Sequence, residues 1–156
     1  MMKINRSVEQ GVYVMLMLAL QKGHTPIKSQ VLSARLEVSD SYLKKILRKL
    51  VVAGLVSSSA SKDGGFTIGC DVTTVSLLDV CSAVDATDRL IMPELNLANH
   101  VFPGDKAHVA QSQKLVNHAF SEAQLAFNAK LAQVELSSLL EQGSFQHGVV
   151  DWTTLV

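Results

Sequence analysis

The stretch VSDSYLKKILRKLVVAGLV, residues 38–56, limits the fold more than any other part of the chain. Stepping about 100° per residue from Leu43 brings Leu43, Ile46, Leu47, Leu50 and Val51 within an arc of roughly 140°. Lys44, Lys45, Arg48 and Lys49 fall on the opposite side. A helix built this way docks on its own domain through one face and turns a cationic face outward, with the four charges read as unneutralised by acids one turn away. Ser39 suits the N-cap, Asp40 in the first turn suits the helix dipole, and Gly54 supplies the stop.

The flanking segments frame that helix. Upstream, NRSVEQGVYVMLMLALQKG opens with Ser7 and Gln10 at capping-box spacing and closes at Gly23. Its middle, Val12 to Leu20, is apolar almost all round, so this helix is expected to be buried on more than one side, with Met15 and Met17 in the core. HTPIKSQVLSARLEV starts a second helix at Pro26, with Ile27, Val31, Leu32 and Ala34 along one side. Downstream of the basic helix, Lys62-Asp63-Gly64-Gly65 sits between β-compatible residues, and the glycine pair can take positive φ in a tight hairpin turn. Two helices, a turn over Glu37 to Asp40, a third helix and a hairpin compose a winged helix-turn-helix.

Beyond the hairpin, VSLLDVCSAVDA (75–86) reads as an amphipathic helix grouping Leu77, Leu78, Cys81 and Val84. Residues 87–106, with Met92, Pro93, Pro103 and Gly104, read as an irregular connection. From Ala107 to about Glu141 there is neither Gly nor Pro, and a helix of that length would run roughly 50 Å. Val109, Val116, Phe120, Ala123, Phe127 and Val134 keep a three-four alternation along it, which invites pairing with a partner helix. The tail GSFQHGVVDWTTLV is expected to dock through Trp152. The fold class is therefore mainly α with a small β-hairpin wing: a winged helix-turn-helix (1–86), a linker (87–106), and a long dimerisation helix with a C-terminal tail (107–156).

Charge is divided along the chain. Residues 1–66 hold ten Lys/Arg and four Asp/Glu, a net +6, and residues 67–156 hold four and ten, a net −6. Such a division points the first half at a polyanion. The longest apolar run, Val12 to Leu20, is too short to span a membrane, and no signal peptide is read at the N-terminus. Two cysteines, Cys70 and Cys81, are too few for a disulfide framework; they read as small core residues of a cytoplasmic protein. His100, His108 and His118 have no familiar metal-ligand spacing. With no P-loop, dinucleotide-binding glycine turn or nucleophile elbow, an enzyme is not expected.

VSDSYLKKILRKLVVAGLVSSSASKDGGFTI, followed by VSLLDVCSAV, resembles the BadM/Rrf-two family of bacterial regulators, which includes the iron–sulfur cluster regulator. The resemblance rests on an ordered set: Val38, Ser39, Tyr42 and Leu43; then Leu50, Ala53, Gly54, Leu55 and Val56; the Gly64-Gly65-Phe66 wing; and Val75, Leu77, Asp79, Val80, Ala83 and Val84. It covers roughly residues 3–86. What it implies is a homodimer on a pseudo-palindromic operator, with the long helix crossing its mate, the third helix in the major groove and the wing tip near the minor groove. Carried over, Ser41, Tyr42 and Lys44 fall where the family's groove-facing residues lie, with Ser39 beside them. Lys45, Arg48 and Lys49 add charge suited to phosphate, and Lys28 is a further phosphate contact.

Two departures stand out. Lys62 replaces the family's wing Arg and has Asp63 next to it, which would repel phosphate. Cluster-holding members carry three closely spaced cysteines after the Asp-Val helix, whereas residues 87–107 contain none; no iron–sulfur cluster, and no other cofactor, is expected. The sequence thus reads as a dimeric, sequence-specific transcription regulator, most often a repressor in such families. Two rival readings remain. One is a winged-helix module for an acidic protein partner; the other is a regulator controlled by a small-molecule effector between the linker and the long helices.

Overall fold

The structure is a computed structural model, and it describes residues 3–86, 88–89 and 97–155. Helix α1, Arg6–Leu20, buries Val8, Val14, Met15, Met17, Leu18 and Ala19, as an all-apolar middle requires. Its start differs from the expected Ser7–Gln10 box. Asn5, in an extended conformation, is the N-cap and accepts the Ser7 amide at 3.2 Å, while Ser7 is already inside the helix and buried.

Helix α2, Ser29–Leu36, begins three residues later than Pro26 suggested. The cause is tertiary. Ile27 donates its N–H to Phe66 O (2.9 Å) and accepts from Phe66 N (2.8 Å), so it is held to the wing by an isolated antiparallel bridge. Ile27 and Leu32 are fully buried, Val31 is half-buried, and Ala34 lies exposed rather than on the packed side.

Helix α3, Asp40–Val52, buries Leu43, Ile46, Leu47 and Leu50. It ends in a Schellman motif, with Leu55 N–H on Leu50 O (3.0 Å), Gly54 N–H on Val51 O (3.0 Å) and Gly54 at φ 75°. Strands β1 (Val56–Ser58) and β2 (Phe66–Ile68) pair antiparallel, Val56 opposite Ile68. Of the two wing glycines, Gly65 alone has positive φ. Close approach demands both: a Cβ on Gly64 would lie 2.3 Å from Ser59 O, and one on Gly65 would lie 2.5 Å from Ile27 O.

Helix α4, Leu77–Asp85, starts with a capping box in which Ser76 and Asp79 satisfy each other's backbone N–H groups. It buries Val80, Cys81 and Val84, while Leu77 and Leu78 are half-buried. At Gly11, α1 meets α4 so closely that a Cβ would lie 2.9 Å from Val84 Cγ2. A short helix α5, Leu97–Val101, falls within the expected linker; Met92 and Pro93 lie outside the described residues.

Helix α6 runs Lys106–Ala132, 27 residues, about 40 Å rather than 50 Å. No breaker ends it. The chain past it is drawn back against the start of α4 instead: Val134 O accepts Leu77 N–H (2.9 Å), and Leu136 N–H bonds Val75 O (2.9 Å). Leu136 itself is fully buried. Backbone pairing and burial here override helix propensity.

The tail, grouped with the long helix from sequence alone, runs back along the end of α1. Leu20 O accepts from Val149 N (2.9 Å) and Val150 N (3.0 Å), Ala19 O lies 3.1 Å from His24 Nε2, and Met17 O accepts Trp152 Nε1–H (2.9 Å). Carbonyls that a helix C-terminus leaves unpaired are thereby satisfied. Gln21, nearly fully buried, holds the tail from its side chain: Nε2 donates to Asp151 Oδ1 (3.2 Å) and Oε1 accepts Trp152 N–H (3.0 Å). Trp152 docks as expected, with the Arg35 guanidinium 5.7 Å from its ring centroid.

Candidate nucleic-acid interface

The turn between α2 and α3 is tight because Glu37 adopts a left-handed conformation (φ 54°), letting Val38 N–H return to Ser33 O at 3.0 Å. Asp40 then ties the two helices together. One of its oxygens receives the Ser33 hydroxyl from α2 (3.4 Å), and the other lies 2.8 Å from Lys44 Nζ on α3. Lys44's hydrogen bond, with help from Ser29 and Ser33, holds the Asp40 carboxyl below the usual carboxylate range. Lys44 is therefore not the unneutralised cation that the helical wheel implied: an acid stands one turn before it. Lys44 is exposed and Asp40 half-buried, and an ion pair this open to solvent contributes little stability.

Lys45 and Arg48 are exposed on the outward face of α3, opposite Leu43, Ile46, Leu47 and Leu50. Ser39 and Ser41 are exposed at the helix start, their hydroxyls 2.9 Å apart, and Tyr42 is 39% exposed beside them. The Ser39 side chain does not cap the helix. Lys28 stands exposed at the N-cap position of α2, and Lys62 and Asp63 are both exposed in the wing turn. Lys49 departs from its neighbours: its Nζ donates to Val84 O, in the last turn of α4, at 2.6 Å.

Of the residues expected along the long helix, Val116 (43%) and Phe120 (47%) are exposed on α6, as is Ala123, and Phe127 is half-buried. Val109 is buried within the chain, and Val134 lies past the helix end. Leu115 (71%) and Leu125 (67%) add further apolar surface.

Cys81 is buried in α4. Cys70 is half-buried, its Sγ 3.5 Å from Leu55 O, and burial, with Asp71 and Asp79 nearby, pushes its thiol pKa up. That thiol lines a cavity of about 510 Å³ between the end of α1, the segment after β2 and the tail, beside His24, Asp71 and Phe145. Nothing in the sequence pattern pointed to this cavity, because the tail that closes it is distant along the chain. Among the described residues, no three His, Cys, Asp or Glu side chains are grouped to hold a metal ion.

A helix-turn-helix, a cationic second helix of that pair and a wing directly behind it define a winged-helix, DNA-binding type of transcription regulator. The chain belongs to the Rrf2 family, described as iron-dependent transcriptional regulators, which it matches over residues 4–142. YffB of Lactococcus lactis subsp. lactis, provisionally named an HTH-type transcriptional regulator, is 31% identical over 148 residues, covering 95% of this chain and 93% of its own. The HTH-type transcriptional regulator IscR of Vibrio vulnificus is 37% identical over 84 residues, covering 54% of this chain and half (50%) of its own. Among solved structures, CymR, the global cysteine regulator of B. subtilis, superposes with a TM-score of 0.64 at 19% identity, covering 89% of this chain and 96% of its own. IscR of T. potens gives 0.61 at 17% identity, covering 91% and 94%. These likenesses bear out the winged-helix fold and make the chain a transcription regulator, not an enzyme. Among the described residues, no helix is long and apolar enough to cross a membrane.

Proposed function

We propose that two copies of this chain bind a pseudo-palindromic DNA operator in the cytoplasm and repress transcription there, without an iron–sulfur cluster. The observation that carries the reading is the division of α3: Leu43, Ile46, Leu47 and Leu50 on its apolar face are buried, and its other face offers Lys44, Lys45 and Arg48 to the outside. Lys45, Arg48, Lys28 and Lys62 meet phosphate, and Ser39, Ser41 and Tyr42 at the start of α3 stand nearest the base edges. Lys44 joins them by exchanging Asp40 for the nucleic acid. The exposed stripe Val116–Phe120–Ala123 on α6 supports pairing with a second copy, which would set two recognition helices about one duplex turn apart, roughly 34 Å.

The chain's two thiols do not fit a cysteine-held cluster. One is packed inside α4 and the other is disfavoured as a thiolate, the form that ligates iron. Selection of bound sequences from a random duplex pool by the metal-free protein, with affinity followed against salt, tests the reading. A dyad motif with steep salt dependence supports it. Failure to enrich any sequence, alongside capture of an acidic protein, would transfer the basic face to a protein partner.

A further inference from the structure

We infer that Lys49 is a positioning residue: its ammonium fastens the recognition helix to the C-terminus of α4 and sets the angle at which α3 meets DNA, rather than contacting phosphate. The inference rests on the DNA-binding reading above. By sequence, Lys49 is one of four equivalent cations; in the structure it is exposed like the others, but it donates to a carbonyl of another element, α4. Its Nζ lies 2.6 Å from Val84 O, a short, charge-assisted hydrogen bond.

The acceptor is well suited to a cation. Val84 lies in the last turn of Leu77–Asp85, where carbonyls lack intrahelical partners and the helix dipole is negative. The helix ends immediately afterwards, at Ala86 in a left-handed conformation (φ 48°). The Val84 side chain is buried and packs against Gly11 of α1. One residue therefore anchors to α1 through its side chain and to α3 through its carbonyl. Lys49 lies on the same side of α3 as Arg48 only in the coarse sense of a helical wheel. Its tether links α3 to the end of α4, just before the segment that leads to α6. Asp40 fixes the other end of α3 to α2 through Ser33. Polar contacts near both ends of α3 thus supplement its buried apolar face, with Lys45 and Arg48 exposed between them.

The test compares Lys49→Met, Lys49→Arg and Arg48→Ala on the operator selected by the wild-type protein and on a random duplex, across a salt series. Methionine keeps the aliphatic stem and loses the charge; arginine can still donate to a carbonyl. Lys49→Met is expected to lose on the order of tenfold in operator affinity, with random-duplex affinity and salt slope unchanged and Lys49→Arg restoring most of the loss. Arg48→Ala should instead weaken both duplexes and flatten the slope by about one ion per protomer. If Lys49→Met flattens the slope on both duplexes as Arg48→Ala does, Lys49 is a phosphate contact and the inference fails. It fails equally if Lys49→Met lowers the melting temperature but leaves the operator-to-random ratio intact, or binds as wild type. A wild-type protein that selects no sequence overturns the DNA-binding reading and this inference together, an outcome distinct from the others.

Discussion

Helices α3 and α6 treat their apolar residues in opposite ways. In α3, 13 residues long, four apolar side chains are buried and the cations face out. In α6, 27 residues long, Val109 is the one buried residue and Val116, Phe120, Leu115 and Leu125 remain exposed. The first helix is complete inside one chain; the second has an apolar surface that one chain does not cover. Under the dimer reading proposed above, α3 belongs to a head that holds charge in place, and α6 to an arm that meets a second copy.

Four substitutions probe this contrast, in order of decreasing effect. Leu47→Ala, in the fully buried face of α3, should cost about 2–5 kcal/mol at every protein concentration, as read by denaturant unfolding; a loss under 1 kcal/mol would mean the head is not a packed core. Phe120→Glu should weaken self-association on the order of a hundredfold or more while leaving the far-ultraviolet helix signal intact. Sedimentation equilibrium reads this directly, and an unchanged association constant would move the arm's contact elsewhere.

Gly148→Ala acts on the tail. Gly148 has φ 69°, and a Cβ there would lie 1.9 Å from Gln21 O, so the strap over α1 must shift. A destabilisation of about 1–3 kcal/mol follows, with Trp152 fluorescence moving to the red; an unshifted spectrum would show that the strap adapts. Asp40→Asn has the smallest effect. Asp40's carboxyl pKa is lowered, so its contribution is present above the unfolded-state pKa and is lost as pH falls through the lowered native one. The variant should flatten stability in that acidic window and raise affinity for random duplex, because Lys44 is released; an unchanged acid limb in thermal melts would remove Asp40 as the tie between α2 and α3.

The α3 face, the Gly54 stop and the hairpin were legible in the sequence because each is a local pattern with a local cause. What escaped the sequence depended on distant partners. Pro26 pointed to a helix start that pairing of Ile27 with Phe66 delays, and the breaker-free run to Glu141 is cut short because Leu136 is drawn into the core. Lys49 looked like its neighbours until Val84, 35 residues away, supplied a carbonyl. Asp40 is a different case. Its spacing from Lys44 was in plain sight, yet its fit to the helix dipole concealed its role as a salt-bridge partner.

The central claim is that the outward face of α3 is the DNA-binding surface. Its most direct measurement is operator affinity against salt for the wild type and for Lys45→Ala/Arg48→Ala, two exposed positions whose loss leaves the buried face untouched. The account predicts an unchanged melting temperature, weaker binding and a salt slope shallower by about two ions per protomer. An unchanged slope and affinity would place the DNA contact on another surface and contradict the account.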